Sequence, residues 1–156
     1  MAITPNRQQF TELASASDEG PVVMLNLLKF KARADGDGVA SGAAEYRRYG
    51  DAAIQMVEAC GGKVLWAGQA DQILIGDPGE DWDQVILVQY PSRAAFIDMV
   101  TQPEYEKAHE HRESGLERTI LVACTPGLDA LDAQALDAQA LDAQALDAQT
   151  LDAQQG

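Results

Sequence analysis

Three side chains in this sequence have types and surroundings that could do chemistry together: Asn26, His109 and Arg112. Asn26 is a lone amide inside the apolar run 21–30, PVVMLNLLKF. There it can hydrogen-bond a ligand carbonyl or hydroxyl as an orienting donor. The competing structural reading is an amide satisfied by neighbouring backbone, as buried amides must be. Tyr105, His109 and Arg112 fall at i, i+4 and i+7, one stripe of a helix. Such a stripe combines a phenol, a group that titrates near neutrality and a guanidinium able to grip a carboxylate with two parallel hydrogen bonds. The plainer alternative is a solvated boundary in which Arg112 pairs with Glu113 or a neighbouring acid and His109 is half exposed. His111 sits about 200° from His109 around a helix, so the HEH triplet is no chelate. Two histidines without a nearby cysteine make a weak metal set.

The elements that would position these groups follow from periodicity. In the 21–30 run, Val22, Met24, Asn26, Leu28 and Phe30 share one face of a strand, and Val23, Leu25, Leu27 and Lys29 share the other. Both faces are apolar, so helices cover one and something else must cover the second. Ahead of it, Thr4-Pro5 reads as a helix start, with the helix running to about residue 14. The stretch 31–41 is charged, contains glycine and lacks periodicity, which predicts a mobile loop able to act as a lid. Ser41 caps a helix over 42–59 that Gly61-Gly62 ends. A long strand is expected over 63–75 with a bulge at Gly68, then a strand over 84–90. Ser92 caps a short helix, and Thr101 to Glu104 has the form of a capping box for the next helix. The last strand is expected over 118–124. Trp66, Trp82, Tyr46 and Tyr49 either line an aromatic pocket or belong to the core, and Trp82 between Asp81 and Asp83 suggests a strand-entry anchor.

Two regions differ in composition. Residues 1–127 form one domain, whereas 128–156 repeat LDAQA with a five-residue period. Five residues turn a helix by about 500°, so successive leucines spiral and form no seam. A solvated, partly helical or disordered tail is expected, with a partner-binding segment as the alternative. The formal charge is −14, and the tail's six aspartates leave −8 on the body. That surface excludes nucleic-acid phosphate and anionic membrane as partners. No apolar stretch approaches the roughly 20 residues of a membrane span, and the start lacks a signal peptide's apolar core. The expected location is cytoplasmic. Cys60 and Cys124 read as free, buried thiols. With no phosphate-binding glycine loop, GxSxG elbow or nucleotide fingerprint, no cofactor is expected.

The order β–α–β–β–α–β after the leading helix describes a ferredoxin-like α+β fold, with a four-stranded antiparallel sheet and helices on one face. The segments PVVMLNLLKF, YRRYGDAA, GGKVLWAG and DWDQVILVQYPSRAAFIDMVTQPEYEKAHEHRESGLERTILVA resemble the domain-of-unknown-function 1330 family of the dimeric α+β barrel superfamily. The similarity spans residues 4–123. It implies a ferredoxin-like protomer whose sheet packs on that of a second copy, a homodimer. Relatives in that superfamily include cofactor-independent monooxygenases, small-ring isomerases and lactonases, haem-handling proteins and simple ligand binders. The family has no settled catalytic residues, so none is carried over. Two functional classes follow. One is a cofactor-independent enzyme, monooxygenase-, isomerase- or cyclase-like, acting on a small hydrophobic oxygenated metabolite in a pocket between sheet and helices. The other is a non-catalytic dimeric protein that binds a small ligand or serves an accessory role.

Overall fold

The computed structural model of the chain describes residues 3–17, 19–36 and 39–127. The LDAQA repeat from residue 128, with every expectation attached to it, lies outside them. The described residues contain four strands: β1 (Val22–Phe30), β2 (Lys63–Gln69), β3 (Gln84–Tyr90) and β4 (Leu116–Cys124). They form one antiparallel sheet in the order β2-β3-β1-β4, so β1 and β3 are interior. Among the described residues four helices accompany them: α1 (Arg7–Ser15), α2 (Gly42–Ala59), α3 (Arg93–Val100) and α4 (Pro103–Gly115). After α1 this is the ferredoxin-like βαββαβ order, with its second helical crossover divided into α3 and α4.

The alternation in β1 divides the molecule. Val22, Met24 and Leu28 are buried against the helices, in contact clusters with Val57, Met99 and Tyr90 and with Tyr46 and Leu116. On the other face lie Leu25 and Leu27, opposite Leu87 and Val85 of β3 and Val122 and Ile120 of β4. This second face is apolar, and no described helix covers it: Trp66, Ile120 and Val122 are 53%, 45% and 40% exposed.

Several boundaries differ from expectation, each for a local reason. Helix α1 starts at Asn6, not Thr4-Pro5, because Asn6 and Gln9 close a reciprocal capping box. Thr101 does not cap α4. Its hydroxyl donates back to the Ile97 and Asp98 carbonyls, and Pro103 simply occupies the first turn of α4. Strand β2 stops at Gln69 because Gln69 pairs with Gln84, where β3 begins. The register irregularity falls between Val64 and Trp66, not at Gly68. Gly68 instead leaves room for the Trp66 indole, since a Cβ there would lie 2.5 Å from the ring. Cys60 and Cys124 are free but only half-buried. Trp82 is an anchor as expected: the Arg118 guanidinium lies 4.3 Å from its ring centroid and also bonds Asp81.

The end of β1, the start of α2 and the end of α4 are knitted by main chain. Lys31 N–H donates to the Gly115 carbonyl at 2.9 Å, and Gly42 N–H donates to the Lys31 carbonyl at 3.0 Å. A Cβ on Gly42 would collide with that Lys31 carbonyl and stand 2.5 Å from the Gly115 oxygen. Alanine normally gains about 0.5–1 kcal/mol over glycine in a helix, but overpacking against fixed backbone costs about 1–3 kcal/mol. Gly42→Ala is therefore expected to destabilise. Gly50→Ala, in the same helix with nothing within 4 Å of the new Cβ, is expected to stabilise. Denaturant midpoints of the two variants check the opposite signs.

Candidate functional site

A cavity of about 1350 Å³ lies between the helix-facing side of the sheet and the helices. Its floor includes Met24, Asn26, Ile86, Val88 and Leu121. Helix α2 contributes Tyr46 and Tyr49, α4 contributes Tyr105, His109 and Arg112, and Phe10 and Leu13 of α1 complete the wall. All three residues singled out from sequence thus border one cavity. The wall from the N-terminal segment was not foreseen, because α1 has few apolar positions and no buried residue. The 31–41 loop, expected as a lid, contributes none of its described residues to the lining. It is tied instead to the end of α4. Ala34 is buried, Asp35 N–H donates to the Ser114 carbonyl at 3.1 Å, and Ser114 Oγ donates to the Asp35 carbonyl at 3.2 Å.

Arg112 is 5% exposed. It does not pair with Glu113, and among the described residues no carboxylate forms an ion pair with it. Its Nη1 donates to the Ile3 carbonyl at 2.7 Å, and its guanidinium carbon lies 6.0 Å from the Tyr49 ring centroid. A buried cation usually has an anionic partner, because desolvation costs several kcal/mol. Here a neutral carbonyl and an aromatic face hold it, beside open space. The acids in the lining are placed differently: Asp51, Asp71 and Glu106 are exposed, and Asp83 binds Lys29 and the Phe30 N–H.

A ladder of rings runs from Phe30 through Tyr46, Tyr49 and Tyr105 to His109, at centroid spacings of 5.4, 5.3, 6.1 and 5.7 Å. Tyr49 and Tyr105 share a hydroxyl–hydroxyl hydrogen bond of 3.1 Å. Burial pushes the Tyr46 phenol up to about 12, with Arg112 pulling the other way, and raises Tyr49 well above the ordinary tyrosine value. Both remain protonated donors near neutrality. The alternatives of pocket or core converge for these two tyrosines, which are packed and also line the cavity. Trp66 and Trp82 are not in its lining.

Asn26 is half-buried, and its Nδ2 donates to the Met24 and Ile86 carbonyls at 3.2 and 3.3 Å. The orienting-donor role expected of it is corrected by this geometry. The donors serve the sheet, which leaves Oδ1 as the atom able to accept from a ligand. His109 stacks on Tyr105 and lies 3.4 Å from Glu113 through Nε2, yet neither buried ring nitrogen makes a hydrogen bond among the described residues. Burial, then the nearby Arg112 charge, lowers its pKa from the usual 6.5, against a smaller opposing pull from Glu113. The neutral imidazole is therefore the favoured form at pH 7, as a base requires. The described residues contain no group of three or more His, Cys, Asp or Glu able to hold a metal, and no described helix is long and apolar enough to cross a membrane.

Because folding lowers the His109 pKa, its contribution to stability is complete above about pH 6.5 and is lost as pH falls through the lower folded value. The melting temperature of His109→Gln is expected to fall less than wild type between pH 7 and 5. Parallel curves would show that this imidazole is not held neutral by the fold.

The profile of a domain of unknown function, DUF1330, matches residues 40–125, from the approach to α2 through β4. A protein of unknown function from Rhodopseudomonas palustris is 37% identical in sequence, and its crystal structure aligns over 81% of this chain and 98% of its own with a TM-score of 0.77. The methylated form of that protein aligns over 83% and 96% with a TM-score of 0.76. A hydroxynitrile lyase from Passiflora edulis shares the fold at 8% identity, covering 72% of this chain and 99% of its own with a TM-score of 0.51. No curated protein matches the sequence. The extent of the profile match and the 37% identity over four-fifths of the chain place this protein in the DUF1330 family of ferredoxin-like α+β proteins.

Proposed function

We propose that the cavity binds a small, flat organic acid or carbonyl compound and that the protein catalyses proton transfer on it without a dissociable cofactor. The observation that carries this reading is Arg112: buried, without a carboxylate partner among the described residues, and bordering a largely apolar cavity with a neutral imidazole one helical turn away. Pockets of mostly apolar lining with a few convergent polar groups suit such ligands. In this reading Arg112 holds a carboxylate or the oxygen of a developing enolate. His109 takes the proton from the carbon next to the carbonyl, and the C–H electron pair moves into the carbonyl group. Asn26 Oδ1 accepts a hydrogen bond from a ligand hydroxyl. The products are an enolate facing Arg112 and an imidazolium, which can return the proton at another carbon to complete an isomerisation. A binding protein without catalysis is the second reading, favoured by the part of Arg112 already spent on the Ile3 carbonyl.

Thermal-shift and calorimetric titration with aromatic and aliphatic carboxylates, each beside its neutral amide, tests the reading. Carboxylates are expected to bind and amides to bind far less. Arg112→Gln should weaken carboxylates about 10- to 100-fold, the worth of a lost charge-assisted hydrogen bond. Equal binding by that variant would overturn the anion site. His109→Gln should bind normally but fail to exchange the ligand's acidic C–H for deuterium in D2O. Binding with no exchange even in wild type leaves the non-catalytic reading.

We also propose that the uncovered sheet face meets the same face of a second copy around a two-fold axis. The contiguous row of Trp66, Leu87, Leu25, Val122, Leu27 and Ile120 supports this, since apolar patches of that kind are normally covered. Light scattering is expected to give twice the chain mass, and Ile120→Glu to give one. A wild-type mass equal to one chain at all concentrations would rule the assembly out.

A further inference from the structure

Helix α4 borders a second, smaller groove of about 420 Å³, lined by its own Pro103, Glu106, Lys107, His109, Glu110 and Glu113. His109 and Glu106 line both this groove and the main cavity. The histidine ring therefore stands in the wall between them. We propose that His109 carries protons across that wall, with the Glu113 carboxylate as the proton acceptor on the groove side.

Geometry supports the assignment. His109 Nε2 is 3.4 Å from Glu113 Oε1, and the i, i+4 spacing on one helix holds the two side chains on the same face. The His109 side chain is 19% exposed and that of Glu113 is 54% exposed, so the carboxylate joins a shielded ring to water. Both ring nitrogens are buried and free of hydrogen bonds among the described residues. The other groups acting on the ring are the stacked Tyr105, itself bonded to Tyr49, and the Arg112 cation. Glu106, Lys107 and Glu110 share the groove with it. Of the charged groups, Arg112 disfavours the imidazolium and Glu113 favours it.

The inference rests on the reading of the cavity as a proton-transfer site and adds where the proton goes. A proton leaving the ligand joins Nδ1, and the ligand keeps the electron pair. The imidazolium then gives its Nε2 proton to the Glu113 carboxylate, which passes it to water in the groove. The ring is left neutral, in the other tautomer, and the next proton arrives by the reverse route. Protons removed from a ligand therefore exchange with solvent through the groove, and the cavity itself need not admit water.

The test needs no ligand. The chain has two histidines, so nitrogen-15-labelled histidine gives two sets of ring signals, and His111→Gln identifies those of His109. In Glu113→Gln, His109 is expected to titrate at lower pH than in wild type, and its ring N–H to exchange with solvent several-fold more slowly. Glu113→Asp should restore part of both effects, and Glu110→Gln should alter neither. An unchanged titration and exchange rate in Glu113→Gln would overturn the relay, as would an equal effect from Glu110→Gln. These outcomes are separable from the carboxylate screen. Failure of every carboxylate to bind removes the proposed ligand while leaving the His109–Glu113 coupling measured, and an uncoupled His109 leaves the anion site standing.

Discussion

The guanidinium of Arg112 is the group on which the candidate site depends. A positive charge taken out of water costs several kcal/mol unless its surroundings replace the lost solvation. Here the replacement comes from three parts of the chain: the Ile3 carbonyl, the face of Tyr49 and the last turn of α4, whose main-chain carbonyls favour a cation. The charge thereby links the N-terminal segment to α2 and α4. It also sets the electrostatics of the cavity, disfavouring a second cation at His109 while attracting an anion into the space beside both.

The aromatic ladder shapes that field without neutralising it. Tyr46 and Tyr49 stay protonated because burial disfavours their phenolates. Their rings form a wall of low polarity, and the Tyr49 hydroxyl is committed to its bond with Tyr105. Low polarity strengthens any interaction between Arg112 and an anion relative to the same pair in water. Asn26 works in the opposite sense, placing one hydrogen-bond acceptor on an otherwise apolar floor.

What could be read from the sequence was what local pattern determines. The spans of α2 and β3 agree with expectation because Ser41 and two apolar faces specify them directly. Asn26, His109 and Arg112 could be placed on the helix-facing side because strand and helix periods assign faces. The differences arise where partners are distant in sequence. Apolar residues continue past Gln69, but β3 offers nothing further to pair with, and Leu74 and Ile75 are left exposed. The direction of the Asn26 amide depends on the Ile86 carbonyl, sixty positions away. The contacts that tie the 31–41 loop to α4 all use a main-chain atom on at least one side, such as the Asp35 N–H and carbonyl that meet Ser114, and side-chain pattern carries little information about them. In the same way the part played by the N-terminal segment, two half-buried side chains of α1 and the Ile3 carbonyl before it, leaves little trace in composition.

The pinning of α4 at Gly115 gives the helix a fixed phase as well as a fixed position. Residues are placed about 100° apart around a helix, so the ten steps from Tyr105 to Gly115 decide which side chains meet the cavity. One residue inserted in that interval would leave the Gly115 carbonyl on Lys31 and swing every earlier residue about a third of a turn. Tyr105 would leave the ring ladder, and acids from the second groove would turn toward the sheet. Loop 31–41 is held to the same end of α4 part-way along its length, at Asp35. A change of length within α4 is thus disruptive, and the helix acts as a ruler whose zero mark is its last residue.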